Sequence, residues 1–91
     1  MYKITQYSKD QASKLGVTIK PSTKKNKKID VYKDNELLAS IGDKRYSDFP
    51  TFMREEGKEY ANQRRDAYQK RHHKNRNIKN TAGYYADRLL W

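Results

Sequence analysis

Residues 27–42, KKIDVYKDNELLASIG, contain the pattern that decides the fold class. Apolar side chains alternate with polar ones on both sides of the polar centre DNE, which is typical of two antiparallel strands joined by a short turn. The first strand covers about residues 28–33 and the second about residues 37–41. Because helical segments accompany this hairpin on both sides, the sequence predicts a mixed α+β domain.

The apolar pattern also predicts the register of the hairpin. A three-residue loop over 34–36, with Asn35 or Glu36 at positive φ, keeps the apolar residues together on one face. The resulting cross-strand pairs are Ile29 with Ile41, Val31 with Ala39, and Tyr32 with Leu38. Leu37 shares the apolar face with the first two pairs. A two-residue loop would shift the register and scatter the apolar side chains, so the longer loop is favoured.

The residues before the hairpin predict a strand, a helix and a second strand. Residues 2–5 and 17–20 alternate apolar and polar side chains, as strands do. Between them, Ser8 is a candidate N-cap with Gln11 as the second half of a capping box, and Gly16 provides a left-handed stop. Together with the hairpin, these segments predict a small antiparallel sheet of β-α-β order followed by a β-hairpin.

After residue 48 the apolar spacing changes to three and four residues, which predicts helices that pack against the sheet. Asp48 or Ser47 can cap the first helix, and Pro50 fits its first turn. Gly57 is expected to break or kink the run, and the second part should end near His73. The predicted apolar stripe consists of Phe49, Phe52, Met53, Tyr60, Ala61, Ala67 and Tyr68.

Residues 81–91 predict a short C-terminal helix with Thr81 as its cap. Its inward-facing residues are expected to be Tyr85, Leu89 and either Leu90 or Trp91. An apolar terminus of this kind is expected to dock on the core or on a partner chain. With 91 residues and no internal repeat or linker, residues 1–91 predict a single small domain.

The composition favours a basic protein that binds polyanions. Twenty-one Lys and Arg against 11 Asp and Glu give a formal net charge of +10, which attracts nucleic acid, acidic protein surfaces or anionic lipid. The absence of cysteine excludes disulfides, thiolate metal sites and cysteine nucleophiles. No apolar run approaches the roughly 20 residues of a membrane span, and no signal peptide is recognisable, so we expect a soluble protein that is not secreted.

The basic residues form two clusters that are candidate contacts for nucleic acid or another polyanion. Residues 22–28 predict a mobile lysine-rich loop, and Arg64–Lys79 contains seven Lys or Arg with Asp66 as its one acid. The candidate residues are Lys24, Lys25, Lys27, Lys28, Arg64, Arg65, Lys70, Arg71, His72, Lys74 and Arg76. On a helix, Arg64, Tyr68 and Arg71 share one stripe, from which Arg65 and Lys70 diverge. The alternatives are contact with an acidic protein or a solvated helix face paired with nearby carboxylates.

Nothing in the sequence predicts catalysis, a cofactor or a metal site. The four glycines form no phosphate loop, and the spacing of the carboxylates matches no hydrolase or nuclease motif. His72 and His73 are adjacent, so on a helix they point about 100° apart and cannot chelate one metal together. His72 is expected to lie half-buried at the helix end. We therefore expect a non-enzymatic protein.

The segments IDVY, ASIG, YSDFPTF, GKEYANQRRDAYQKRHHK and AGYYADRLLW, in this order, resemble a group of short basic proteins encoded by large double-stranded DNA viruses and tailed phages. The positions that match the Arg-Arg…Tyr…Arg-His motif are Arg64, Arg65, Tyr68, Arg71 and His72. The resemblance implies a viral protein found in the virion or in the infected cell. It implies either a basic protein that binds the genome, with DNA the expected nucleic acid, or a minor capsid protein that contacts acidic neighbours.

Overall fold

The computed structural model describes residues 2–74, 76–79 and 81–91. In this part of the chain the elements are α1 (Gln6–Leu15), β1 (Thr18–Pro21), β2 (Lys27–Lys33), β3 (Glu36–Asp43), α2 (Phe49–Glu56), α3 (Lys58–Arg71) and α4 (Ala82–Leu90). The strands form one antiparallel sheet in the order β1-β2-β3. The predicted α+β class is therefore confirmed.

The two inner pairs of the β2–β3 hairpin are as predicted, but its loop and the partner of Tyr32 are not. Ile29 pairs with Ile41 and Val31 with Ala39. The turn consists of two residues, Asp34 and Asn35, at φ 52° and 67°, as a type I′ turn requires. A bulge at Leu38 adds one residue to β3 between the pairs Tyr32–Leu37 and Val31–Ala39. This extra residue restores the predicted pairing of Val31 and Ile29. Tyr32 consequently pairs with Leu37, which is 42% exposed, and not with Leu38.

Residues 2–5 do not form the predicted first strand, and the sheet therefore has three strands among the described residues. The side chain of Thr5 accepts a hydrogen bond from the Ser8 N–H, so Thr5 is the N-cap and the helix begins at Gln6. Ser8, the predicted cap, lies inside α1, and its buried hydroxyl donates a 2.6 Å hydrogen bond to the Leu89 carbonyl. The predicted N-cap is therefore wrong, and α1 is capped three residues earlier, at Thr5.

The buried core lies between the sheet, α1 and α4. Its fully or nearly fully buried members are Ala12, Ile29, Val31, Ile41, Tyr85, Leu89 and Leu90. The predicted inward face of α4 is thereby confirmed, as is the Thr81 cap, whose side chain accepts from the Tyr84 N–H. Gly42, at φ 80°, allows Leu90 and Lys28 to approach so closely that an added Cβ would lie 2.8 Å from a Leu90 methyl carbon. The buried core residues after residue 48 are Tyr85, Leu89 and Leu90, so α4 is the helix of this region that contributes most to the core.

Helices α2 and α3 pack against each other beside this core. Asp48 caps α2 by accepting from the Thr51 N–H, and Gly57, at φ 93°, separates the two helices, both as predicted. Phe49, Ala61 and Tyr68 of the predicted apolar stripe are buried. Met53 and Tyr60 of the same stripe are 38% and 42% exposed. None of the helices in the described residues is long and apolar enough to cross a membrane.

Candidate nucleic-acid interface

One groove, which we call the aromatic groove, brings part of the predicted basic stripe together with several rings. Its volume is about 510 Å³. The residues that line it are Lys28, Asp43, Tyr46, Ser47, Arg64, Tyr68, Arg71, His72 and Trp91. Arg64, Tyr68 and Arg71 are therefore on one face of α3, as their spacing predicted, while Arg65 and Lys70 are absent from the lining. Trp91 and two residues of the β3–α2 connection, Tyr46 and Ser47, also line the groove.

The wall of the aromatic groove contains a stack of three rings. The Tyr68 ring stacks on Trp91 at a centroid distance of 4.5 Å and an interplanar angle of 10°, and on His72 at 4.3 Å and 29°. Burial, together with the nearby Asp87 carboxylate, raises the pKa of Tyr68 to about 12. Tyr68 is thus a buried, neutral part of the wall. His72 and Trp91 are half-buried and keep part of their surface toward the groove.

Two of the cations that line the aromatic groove, Arg64 and Arg71, have no carboxylate partner among the described residues. Both residues are exposed. The lining residues include one carboxylate, Asp43, whose oxygens accept hydrogen bonds from Arg45. These bonds lower the pKa of Asp43 to about 2, so Asp43 stays ionised and paired with Arg45.

The Arg64 guanidinium lies 5.6 Å from the centre of the Phe52 ring, a looser contact than that of Arg65 with Phe49. Without a carboxylate partner in the described residues, Arg64 and Arg71 can pair with an external anion.

Lys28 was predicted to contact a polyanion, and the structure corrects this prediction. Its side chain is 5% exposed, and its Nζ lies 2.9 Å from Asp48 Oδ2, whose side chain is 1% exposed. The Lys28 Nζ also lies 5.3 Å from the centroid of the Tyr2 ring. Because β2 begins at Lys27, Lys28 belongs to a strand and not to a loop, and its side chain reaches the interior. Its charge is cancelled there by Asp48.

Arg76 and Arg65 are also engaged within the protein. The Arg76 guanidinium donates to both carboxylate oxygens of Asp87, at 3.0 and 3.4 Å, and Asp87 is buried. The Arg65 guanidinium lies 3.5 Å from the centre of the Phe49 ring, and its Nε is buried without a hydrogen-bond partner in the described part of the chain. These two arginines hold elements together, so they are less available to a polyanion than exposed cations are, and their prediction as polyanion contacts stays a prediction.

The other predicted cations lie outside the aromatic groove. Lys70 lines a separate groove of about 400 Å³ together with Asp66, Gln69, His73 and Arg76, and Lys74 is exposed. Lys24, Lys25 and Lys27 are exposed. The segment predicted as a mobile loop over 22–28 is a hydrogen-bonded turn, in which the Ser22 N–H donates to the Lys28 carbonyl. This turn lies beside the β3–α2 connection, because the Lys44 N–H donates to the Asn26 carbonyl.

A second groove, which we call the cationic groove, was missed by the sequence analysis. Its volume is about 630 Å³. It is lined by Tyr2, Lys3, Ile4, Thr5, Gln6, Lys9, Lys28, Lys44, Tyr46, Ser47, Thr51 and Arg54. Four of these residues are exposed cations: Lys3, Lys9, Lys44 and Arg54. They lie in the N-terminal segment, α1, the β3–α2 connection and α2, so no local sequence pattern marks them as a cluster.

The described residues contain no group of three His, Asp or Glu side chains placed to hold a metal ion.

Residues 17–52 match the model of a family of unknown function, DUF5754. The matched segment contains the sheet, the β3–α2 connection and the Lys28–Asp48 ion pair, and it ends in the first turn of α2. It covers less than half of the chain and omits α1, α3 and α4. No curated protein and no solved structure matches this sequence.

Proposed function

We propose that this protein is a non-enzymatic nucleic-acid-binding protein whose interface is the aromatic groove. The observation that supports this function is the placement of two unpaired guanidinium groups, Arg64 and Arg71, beside a stack of partly exposed rings. Arg71 follows Arg64 by seven positions on α3, so the two are about two helical turns, or about 10 Å, apart along the helix.

The chemistry of this groove suits phosphates and bases together. A guanidinium group donates paired hydrogen bonds to phosphate oxygens and is weakly hydrated, so it binds phosphate well. Aromatic rings that keep some exposed surface provide faces on which bases stack. Tyr46, at the edge of the groove, is 68% exposed. Contact with an acidic protein would need the cations but not the exposed rings, so nucleic acid is the partner that we favour.

The charge of the whole chain supports the same proposal. A net charge of +10 on 91 residues provides a long-range attraction to a polyanion and a strong dependence of binding on salt. Following the resemblance drawn from the sequence, we further propose a viral protein that accompanies a DNA genome in the virion or in the infected cell. The alternative role is a minor capsid protein whose basic surface contacts acidic neighbours.

The Arg64→Ala/Arg71→Ala variant should bind a labelled DNA oligonucleotide at least about a hundredfold more weakly than the wild type, since hydrogen bonds to charged groups contribute roughly 1.5–3 kcal/mol each and the variant removes two such groups. If each arginine neutralises one phosphate of a single strand, the slope of log K against log salt should decrease in magnitude by about 1.4, or roughly 0.7 per phosphate. Fluorescence anisotropy at several salt concentrations measures both quantities. The oligonucleotide should be recovered intact after incubation with Mg²⁺.

The matched control is Lys14→Ala/Lys33→Ala, which removes the same charge from two exposed residues that line neither groove. This control should retain most of the affinity for DNA, because salt at physiological concentration screens the attraction between the DNA and charges that lie outside the interface. No binding by the wild type at low salt would overturn the proposed interface and would favour the capsid role. Cleavage of the oligonucleotide would overturn the non-enzymatic part of the proposal.

A further inference from the structure

The cationic groove and the aromatic groove are neighbours. Lys28, Tyr46 and Ser47 line both of them. Lys28 is buried under this boundary, whereas Tyr46 is exposed, with the Arg45 guanidinium 5.8 Å from its ring centre. The two grooves therefore meet at the β3–α2 connection, and together they offer a track longer than either one.

The lining of the cationic groove is suited to anions. Its four exposed cations are accompanied by hydroxyl side chains, and the described lining residues include no carboxylate. Asp48 lies below this surface, and its charge is balanced by Lys28. Arg54 forms an ion pair with Glu55 at 3.5 Å, and both side chains are more than half exposed, so solvent weakens their attraction. The groove thus keeps an unbalanced positive charge.

We propose that the cationic groove binds the phosphate backbone of a single-stranded nucleic acid whose bases stack in the aromatic groove, with Tyr46 as the stacking ring at the junction. This inference rests on the proposed function and adds to it the class of nucleic acid and the second half of the binding track. Single strands expose the faces of their bases, whereas a duplex keeps those faces stacked inside. A flexible strand also follows a path across two adjoining grooves, whereas a duplex is stiff over about 150 base pairs.

The Lys3→Gln/Lys9→Gln/Lys44→Gln variant tests the cationic groove, with fluorescence anisotropy of oligo(dT) of increasing length as the measurement. If the three lysines each neutralise one phosphate, the slope of log K against log salt should decrease in magnitude by about 2, or roughly 0.7 per phosphate. The gain in affinity that the wild type shows between short and long oligonucleotides should be reduced as well. Tyr46→Ala should weaken binding about tenfold with little change in the salt slope, because stacking releases no counterions.

The matched control is Lys14→Gln/Lys33→Gln/Lys58→Gln, which removes the same charge from exposed lysines outside both grooves. If the two triple variants bind oligo(dT) equally, the cationic groove is not part of the track, although the proposed function stands as long as Arg64→Ala/Arg71→Ala still weakens binding. Equal affinity of the wild type for duplex and single strand would overturn the single-strand assignment. Competition by poly-glutamate as effective as that by oligo(dT) would overturn the nucleic-acid assignment, and circular dichroism of each variant verifies the fold.

Discussion

Asp48→Ala is expected to lower the free energy of unfolding by about 3–5 kcal/mol, the cost of leaving a buried charge without its partner. The Asp48 side chain is 1% exposed and Lys28 is 5% exposed, so water cannot replace the lost carboxylate around the ammonium group. The same substitution removes the cap of α2, a loss of about 0.5–2 kcal/mol in other helices, which is included in the range.

The Asp48 carboxylate connects three parts of the fold. It accepts a 2.7 Å hydrogen bond from the Tyr2 hydroxyl, a 2.9 Å bond from Lys28 Nζ and a 3.1 Å bond from the Thr51 N–H. The N-terminal segment, β2 and α2 are therefore joined at one side chain. Lys28 lines both the cationic and the aromatic groove. The buried Lys28–Asp48 pair therefore also stabilises the place where the two grooves meet.

Urea unfolding followed by circular dichroism measures the expected loss. Asp43→Ala is the matched control, since it removes an aspartate that is also paired with a cation, Arg45, but at the surface. The control should unfold at nearly the wild-type urea concentration. A double-mutant cycle with Lys28→Met should give an Asp48→Ala cost that is much smaller in the Lys28→Met background. An Asp48→Ala cost below about 1 kcal/mol would contradict the importance of the buried pair.

Acidification should destabilise the protein through the same carboxylate. Burial by itself raises the pKa of Asp48, but hydrogen bonds from Thr51, Tyr2 and Lys28 outweigh it and hold the pKa below its ordinary value. The unfolded chain takes up this proton near pH 4, whereas the folded protein takes it up only at lower pH. The stability contributed by Asp48 is therefore present above about pH 4 and is lost as the pH falls through the folded-state pKa.

Urea midpoints measured between pH 7 and pH 2.5 test this dependence. Asp48→Asn, which keeps the size of the side chain, should start from a lower stability and should lose less of it over the acid range than the wild type. The remaining slope comes from other carboxylates, among them Asp43, whose pKa is also lowered. Identical losses in the wild type and in Asp48→Asn would contradict the assignment of the acid sensitivity to Asp48.

The hairpin illustrates how far sequence patterns determine structure in this protein. The pairing of Ile29 with Ile41 was predictable, because a shift by one residue would expose half of the apolar side chains. The turn was not predictable from the same pattern, since a three-residue loop and a two-residue turn with a bulge give the same inner register. Asp34 and Asn35 tolerate positive φ, and the shorter turn uses both of them.

The helix ends show the same difference between features that local sequence determines and features that depend on distant residues. Asp48, Gly57 and Thr81 act within one turn of their own helices, and all three were predictable. The hydrogen bond from the Ser8 hydroxyl to the Leu89 carbonyl, by contrast, joins residues that are 81 positions apart in sequence. No spacing rule contains that information.

In the candidate interface, too, the features that depend on local spacing were predictable, and those that depend on contacts between distant segments were not. Helical spacing alone places Arg64, Tyr68 and Arg71 together, and the structure confirms this arrangement. The engagement of Lys28 with Asp48 and of Arg76 with Asp87 joins separate segments of the chain, so a count of basic residues overestimates the free cations. The cationic groove is the opposite case, because its lysines are unremarkable in sequence and become a cluster only in the fold.

Leu89→Ala is expected to lower the free energy of unfolding by about 2–5 kcal/mol, the range for removal of a buried leucine side chain. Leu89 is 0% exposed and belongs to the cluster that joins α4, α1 and the sheet. The backbone at this position is fixed as well, because its carbonyl accepts the Ser8 hydroxyl. The neighbouring helix and strands are therefore held in place and can close the resulting cavity only in part.

Leu37→Ala is the matched control, because Leu37 is also a leucine but is 42% exposed. This substitution should lower the free energy of unfolding by less than about 1 kcal/mol.

Trp91, the only tryptophan of the chain, reports on the docking of α4 because its ring stacks on Tyr68. Tryptophan fluorescence and far-ultraviolet circular dichroism should therefore show the same urea midpoint in the wild type, as one cooperative transition requires, and both should shift together in Leu89→Ala. A fluorescence transition at lower urea than the loss of secondary structure would mean that α4 detaches before the sheet unfolds. Equal losses of unfolding free energy in Leu89→Ala and Leu37→Ala would contradict the central position of Leu89 in the core.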